Sequence, residues 1–192
     1  MIRTWLPRRI IATFALLLVP CMTARAESSF PFVPDAFNVP AILETSHFRL
    51  RMLTIHDVVK DYDALMNSFP HARSIAPDAP WPAGLTVEEN LIDLAWHQKE
   101  FINRTSFAYT VVSLDESMVI GCVYINPTRK VGYDAEVRLW TRPSEQFANI
   151  DETILKRAVE QWLSEKWPFE SPGFAGIDIS MEEWNAIHEV KR

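Results

Sequence analysis

Glycine is scarce in this chain. The 192 residues hold five, at positions 84, 121, 132, 173 and 176. None falls in the connection that follows the strand-like stretch 135–141, so a glycine-rich loop that cradles phosphates on helix-start amides has no place there. Cysteine is scarcer, with only Cys21 and Cys122. Basic side chains are outnumbered, 19 Lys and Arg against 25 Asp and Glu. No Walker loop, nucleophile elbow or Ser-His-Asp order is present, and there is no internal repeat or low-complexity tract. The chain is long enough for one domain with its own core and too short to divide comfortably into two.

The first 26 residues read as a segment apart. Arg3, Arg8 and Arg9 precede an apolar run from Ile10 to Val19, and Ala24-Arg25-Ala26 is a small-x-small cleavage pattern. That is the layout of a secretory signal, with a run too short to span a bilayer. Residues 1–26 are therefore expected to be a signal peptide, giving an exported protein if cleavage follows Ala26. A true start at Met22 would give a cytoplasmic one. Without 1–26, 15 basic side chains face 25 acidic ones, a formal −10. Such a body repels polyphosphate backbones, so no nucleic-acid partner is expected. The mature chain keeps only Cys122, inside the apolar run VIGCVYI, where a thiol serves packing. No integral membrane span is expected in it.

Residues 27–42, rich in proline and aromatics, predict an extended arm with Phe30, Phe32, Val33 and Phe37 against the body. HFRLRML (47–53) alternates like a strand, and Thr54 to Asp57 open a helix whose apolar stripe is Val58, Val59, Tyr62, Leu65 and Met66. Four prolines across 69–85 predict a long loop. Thr86-Val87-Glu88-Glu89 is a capping box for a helix expected to bury Leu91, Leu94, Ala95, Gln98 or Phe101, and Ile102. SFAYTVVS and MVIGCVYI predict a hairpin across LDES, and Ala135 to Thr141 a further strand. An amphipathic helix over about 151–164 and a short strand at 173–179 then predict a parallel pair, followed by a second capping box at Ser180. The fold class is α+β, a central mixed sheet flanked by helices.

The order β-α-α-β-β-β-α-β, with LETSHFRLRMLTIHD (43–57), SMVIGCVYI and DAEVRLWT, resembles the GNAT superfamily of acyl-CoA-dependent N-acetyltransferases. The likeness is to its ribosomal-protein and amino-acid branch: Leu43, Glu44, Thr45, Leu50, Arg51, Leu53, Thr54 and Asp57 fall on that branch's first-strand pattern. It covers about residues 43–179 and makes 43–192 the GNAT-like domain. Two features depart from the pattern. The glycine-rich pyrophosphate loop is replaced by Arg142-Pro143-Ser144-Glu145-Gln146-Phe147-Ala148-Asn149-Ile150, and the region after 180 is shortened. Carboxylates at Glu145, Asp151 and Glu152 stand where phosphates would, at a cost on the order of 1 kcal/mol each.

The resemblance implies acetyl-CoA as acyl donor and a small-molecule or peptide amine as acceptor. It makes Glu136 the base, since an ammonium must lose a proton before it attacks a thioester. The bland alternative pairs Glu136 with Arg138 on the strand surface. Leu139, Trp140, Thr141 and Arg142 form the implied donor-binding edge. An alternative function keeps the fold without catalysis: an exported binding module whose cleft is lined by Trp81, Trp140 and Tyr124. His97 and Glu100 have half a metal site's spacing with no third ligand in view, which favours a solvated helix face. Asn103-Arg104-Thr105 matches a glycosylation sequon at a helix end.

Overall fold

Alternating side chains in RLRM turn one face to a core and one outward. They form strand β2 of the sheet in the computed structural model, which describes residues 32–75, 84–143 and 150–190. The strands lie in chain order: β1 (Ile42–Glu44), β2 (Arg49–Met52), β3 (Phe107–Val112), β4 (Val119–Asn126), β5 (Ala135–Thr141) and β6 (Pro172–Phe174). Pairing is antiparallel from β1 to β5 and parallel between β5 and β6, the mixed sheet that the sequence predicts. Helices α1 (Val58–Ile75) and α2 (Val87–Asn103) join β2 to β3, α3 (Glu152–Lys166) joins β5 to β6, and α4 (Met181–Ala186) follows.

The sheet has a helix layer on each face. Tyr109, Val123, Ile125 and Val137 point to α3, which buries Leu155, Val159, Trp162 and Leu163 against them. Each such side chain contributes about 1.5–3 kcal/mol of apolar burial. The arm joins this layer: Val33 is buried, Phe32 stacks 5.0 Å from Phe169, and Phe37 lies 5.6 Å from Trp167. Phe30 lies outside the described residues. On the opposite face Leu53, Leu94, Ala108 and Cys122 form the core under α1 and α2. Because β3 is covered on both sides, its six residues are all buried, which explains an apolar run with little alternation.

Both capping boxes form. Glu89 N–H donates to Thr86 Oγ1 at 3.1 Å while Thr86 N–H donates to Glu89 Oε2 at 2.9 Å. Ser180 and Glu183 repeat the exchange at 3.2 and 3.1 Å. Four expectations need correction. Val59 does not join the apolar stripe of α1 but is 71% exposed, since it sits about 100° round the helix from Val58. Helix α1 continues through Pro70 to Ile75, into the stretch predicted as loop, because one proline removes one hydrogen bond and the residues around it still suit a helix. Helix α2 turns Asn90, Leu94 and Phe101 inward, leaving Leu91 41% and Ile102 64% exposed and Ala95 outside. Its inward face is set by the polar partners described below rather than by apolar count. Finally, β6 stops at Phe174 instead of running to 179, since Ile177, Asp178 and Ile179 all donate amides to the Phe174 carbonyl and curl the chain away. Among the described residues no helix is long and apolar enough to cross a membrane.

Candidate functional site

Strand β5 outlasts its parallel partner. Pairing with β6 covers Ala135, Glu136 and Val137, and the last bond runs from Ala175 N–H to the Val137 carbonyl at 3.0 Å. After it the chain turns at Gly176, whose φ of +84° suits glycine. Among the described residues, 138–141 continue beside β4 alone.

Backbone groups in a strand alternate sides. Val137 faces β6, while Arg142 N–H donates to the Ile120 carbonyl on the β4 side at 2.7 Å. By that alternation Leu139 and Thr141 turn their N–H and C=O groups to the edge where no described strand lies. Trp140, between them, turns its backbone to β4. Its carbonyl lies so close to Gly121 that a Cβ there would come within 2.0 Å. Gly121 is therefore what lets β4 and β5 approach, and with them fixes the direction of the open edge.

Arg142 is already engaged. Its Nη1 donates to Asp63 Oδ2 from α1 at 2.8 Å, with its side chain 10% exposed. Asp151 caps α3 by accepting the Ile154 amide at 2.9 Å, which takes one helix-start donor away from any phosphate. Residues 144–149, including Glu145, lie outside the described residues, as does Trp81.

Glu136 projects from the opposite strand face to Leu139 and sits three residues upstream, roughly 10 Å along the strand. It pairs with Arg138 Nε, as the bland reading expected, and the pair leaves Glu136 mostly buried. Glu136 lines a cleft of about 400 Å³ with Pro127, Thr128, Arg129, Lys130 and Glu189. Part of that wall was not legible in the sequence. The tail after α4 bridges the β4–β5 loop, with Val131 N–H to the His188 carbonyl at 2.9 Å and Val190 N–H to the Arg129 carbonyl at 2.9 Å.

A buried polar network also escaped the sequence reading. Asp61 of α1 accepts from Asn90 Nδ2 at 3.0 Å and from the Cys122 thiol at 3.5 Å. Burial pushes the Asp61 carboxyl above the usual range, more than its hydrogen bonds to Asn90 and Cys122 pull it down. Burial also raises Cys122 well above an ordinary thiol, so it is not a ready nucleophile. The signal lay in spacing: Asp61 falls between Val58 and Leu65 on the apolar stripe, and Asn90 one turn before Leu94. Tyr124 and Trp140 pack against this layer. His97 lies 5.1 Å from Tyr124, with Asp93 at 3.6 Å and Glu100 at 3.5 Å. Among the described residues no three His, Cys, Asp or Glu side chains are grouped to hold a metal.

No protein-family model matches the chain, and neither does any curated protein sequence. Solved structures do. The microcin C7 self-immunity acetyltransferase MccE, solved with acetyl-CoA and AMP, aligns with a TM-score of 0.51 at 13% identity, over 66% of this chain and 67% of that one. RimL, a ribosomal L7/L12 alpha-N-protein acetyltransferase solved with coenzyme A, aligns with a TM-score of 0.50 at 14% identity, over 64% and 67%. Sheet order, the single parallel pair and the helix layers agree with the sequence resemblance, and the chain has the fold of the GNAT acetyltransferases in a divergent sequence.

Proposed function

We propose that this protein is an N-acetyltransferase that moves an acetyl group from acetyl-CoA to a primary amine. The observation that carries the reading is the parting of β5 from β6 after Val137. It leaves the Leu139 and Thr141 backbone groups directed at an open edge, a donor and acceptor ladder suited to the amide groups of a pantetheine arm. These residues fit the donor's arm. Arg142 stands at the end of the same edge, and a phosphate there would have to share it with Asp63.

When bound, acetyl-CoA supplies an activated acetyl thioester. The chain's own groups do the rest. Glu136 accepts a proton from the acceptor ammonium, directly or through water, and frees the lone pair that attacks. Arg138 holds the carboxylate in place, so the ion pair and the catalytic role are compatible.

The test is acetyl transfer from acetyl-CoA to a panel of primary amines, with Glu136→Gln alongside. The reading predicts transfer by the natural protein and a kcat lowered about 100-fold or more in the variant, the usual contribution of a positioned base, with little change in KM for acetyl-CoA. Transfer that is unaffected in Glu136→Gln would remove Glu136 from the reaction. No transfer to any amine would sink the reading itself.

A further inference from the structure

We infer that the outward face of α2 is a self-association surface, through which two copies of this chain pair, helix antiparallel to helix, as a reversible symmetric dimer.

A helix packed on one side of a sheet needs one apolar face, and α2 has two. Asn90, Leu94 and Phe101 turn inward. Away from them Ile92 is 69% and Trp96 58% exposed, with Leu91 and Ile102 also exposed. Among the described residues nothing covers this patch. Contiguous exposed apolar surface marks an interaction site, where scattered single residues would not.

The pattern of the face says what it fits. Glu88, Ile92, Ala95, Lys99 and Ile102 are all exposed and follow one another at spacings of 4, 3, 4 and 3 residues. At about 100° per residue that is the seam of a two-helix coiled coil. The seam is also self-complementary. A two-fold axis passing beside the midpoint of residues 93 and 94 sets Ile92 against Ala95 of the second copy and Glu88 against its Lys99, each contact made twice. The result is an apolar centre with a charged rim. A parallel pair would set Glu88 on Glu88 and Lys99 on Lys99, like charge on like. Trp96 borders the seam as a held anchor, its Nε1 donating to Glu100 Oε1 at 2.9 Å and Lys99 Nζ lying 5.3 Å from its ring.

A lipid surface fits this face poorly. Helices that lie on membranes carry Lys and Arg beside their apolar stripe. Helix α2 carries Glu88, Glu89, Asp93 and Glu100 against Lys99. One helix pair falls at the small end of specific interfaces, below about 1,200 Å² in total, so the dimer exchanges with monomer in the micromolar range.

The experiment is sedimentation velocity of the full chain. It is expected to show a monomer–dimer equilibrium with a Kd of about 1–100 µM. Glu88→Lys and Lys99→Glu each set like charges across the seam twice, and each alone should raise Kd at least about tenfold. An equimolar mixture of the two variants should dimerise as the natural chain does, because the mixed pair restores both opposite-charge contacts. A fold damaged by either substitution would not be rescued by mixing. A photo-crosslinking benzoylphenylalanine in place of Ile92 identifies what sits on the face, and the expected product is a doubled mass joined at α2 of the second copy. A monomer at every concentration up to about 500 µM, dimerisation unaffected in both variants, or no rescue on mixing would overturn the inference. So would crosslinks from position 92 confined to residues 1–31 of the same chain, or to added phosphatidylcholine vesicles.

Discussion

The open edge of β5 can be probed through the backbone itself. Proline at position 141 deletes one N–H and little else: by strand alternation the Thr141 amide points away from β4, so no ladder bond is lost. Residue 140 is already extended, as a residue before proline must be. The remaining cost is the fixed φ of the ring, on the order of 1 kcal/mol of stability. The amide that disappears would otherwise donate to the donor's arm, and one such bond is worth about 0.5–1.5 kcal/mol net. Thr141→Pro should therefore weaken coenzyme A binding about three- to tenfold, measured by titration calorimetry, while denaturant melts show a folded protein. Arg142→Pro is the converse control. It removes the 2.7 Å bond to the Ile120 carbonyl and should cost about 1–3 kcal/mol of stability beyond Arg142→Ala, the cost of leaving a buried carbonyl unpaired. Coenzyme A affinity unchanged in a folded Thr141→Pro would refute the assignment of this edge. A severe unfolding by Thr141→Pro would refute the alternation on which it rests.

Gly121→Ala should destabilise the protein by about 3 kcal/mol in denaturant melts, because its Cβ would meet backbone, the Trp140 carbonyl at 2.0 Å, which no rotamer change relieves. A loss under about 1 kcal/mol would mean that β4 and β5 separate easily. Two buried aspartates should give stability opposite slopes with pH. Asp61 is raised by burial, so the folded state keeps a proton that the unfolded chain releases, and its contribution is lost as pH rises from the usual carboxylate range through the raised value. Burial would raise Asp57 too, but Arg51 at 2.8 and 3.0 Å and the Thr54 amide pull it below its ordinary value. Its contribution is present above that ordinary value and lost as pH falls through the lowered one. Urea melts across about pH 2 to 7 should show the Asp61 slope vanish in Asp61→Asn and the Asp57 slope vanish in Asp57→Asn. Unaltered slopes in the variants would contradict these assignments.

What could be read in the sequence followed physical strength. The apolar stripe of α3, at Leu155, Val159, Trp162 and Leu163, has no competing solution, and the capping boxes at Thr86 and Ser180 are local hydrogen-bond chemistry. The β3–β4 hairpin followed from its short connection, and the parallel β5–β6 pair from the helix between its two strands. Helix α2 was misjudged because its inward face is chosen by partners remote in sequence: Asn90 turns in to meet Asp61, and Gln98 Oε1 accepts the Ile55 amide at 2.9 Å. Glu136, Leu139 and Thr141 were visible as a strand pattern, but the side each backbone group faces depends on where β6 stops. The cleft was less legible still, since Arg129 and Glu189 lie 60 positions apart in numbering and meet only through a backbone bridge outside the main strands.

The central claim is that the β5 edge still holds an acyl-CoA in a chain without the glycine-rich loop. Calorimetric titration of the full chain with acetyl-CoA tests it most directly. The account predicts a saturable heat with one site per chain and a Kd below about 1 mM, weakened by Thr141→Pro. No heat at millimolar ligand from a folded protein would contradict it.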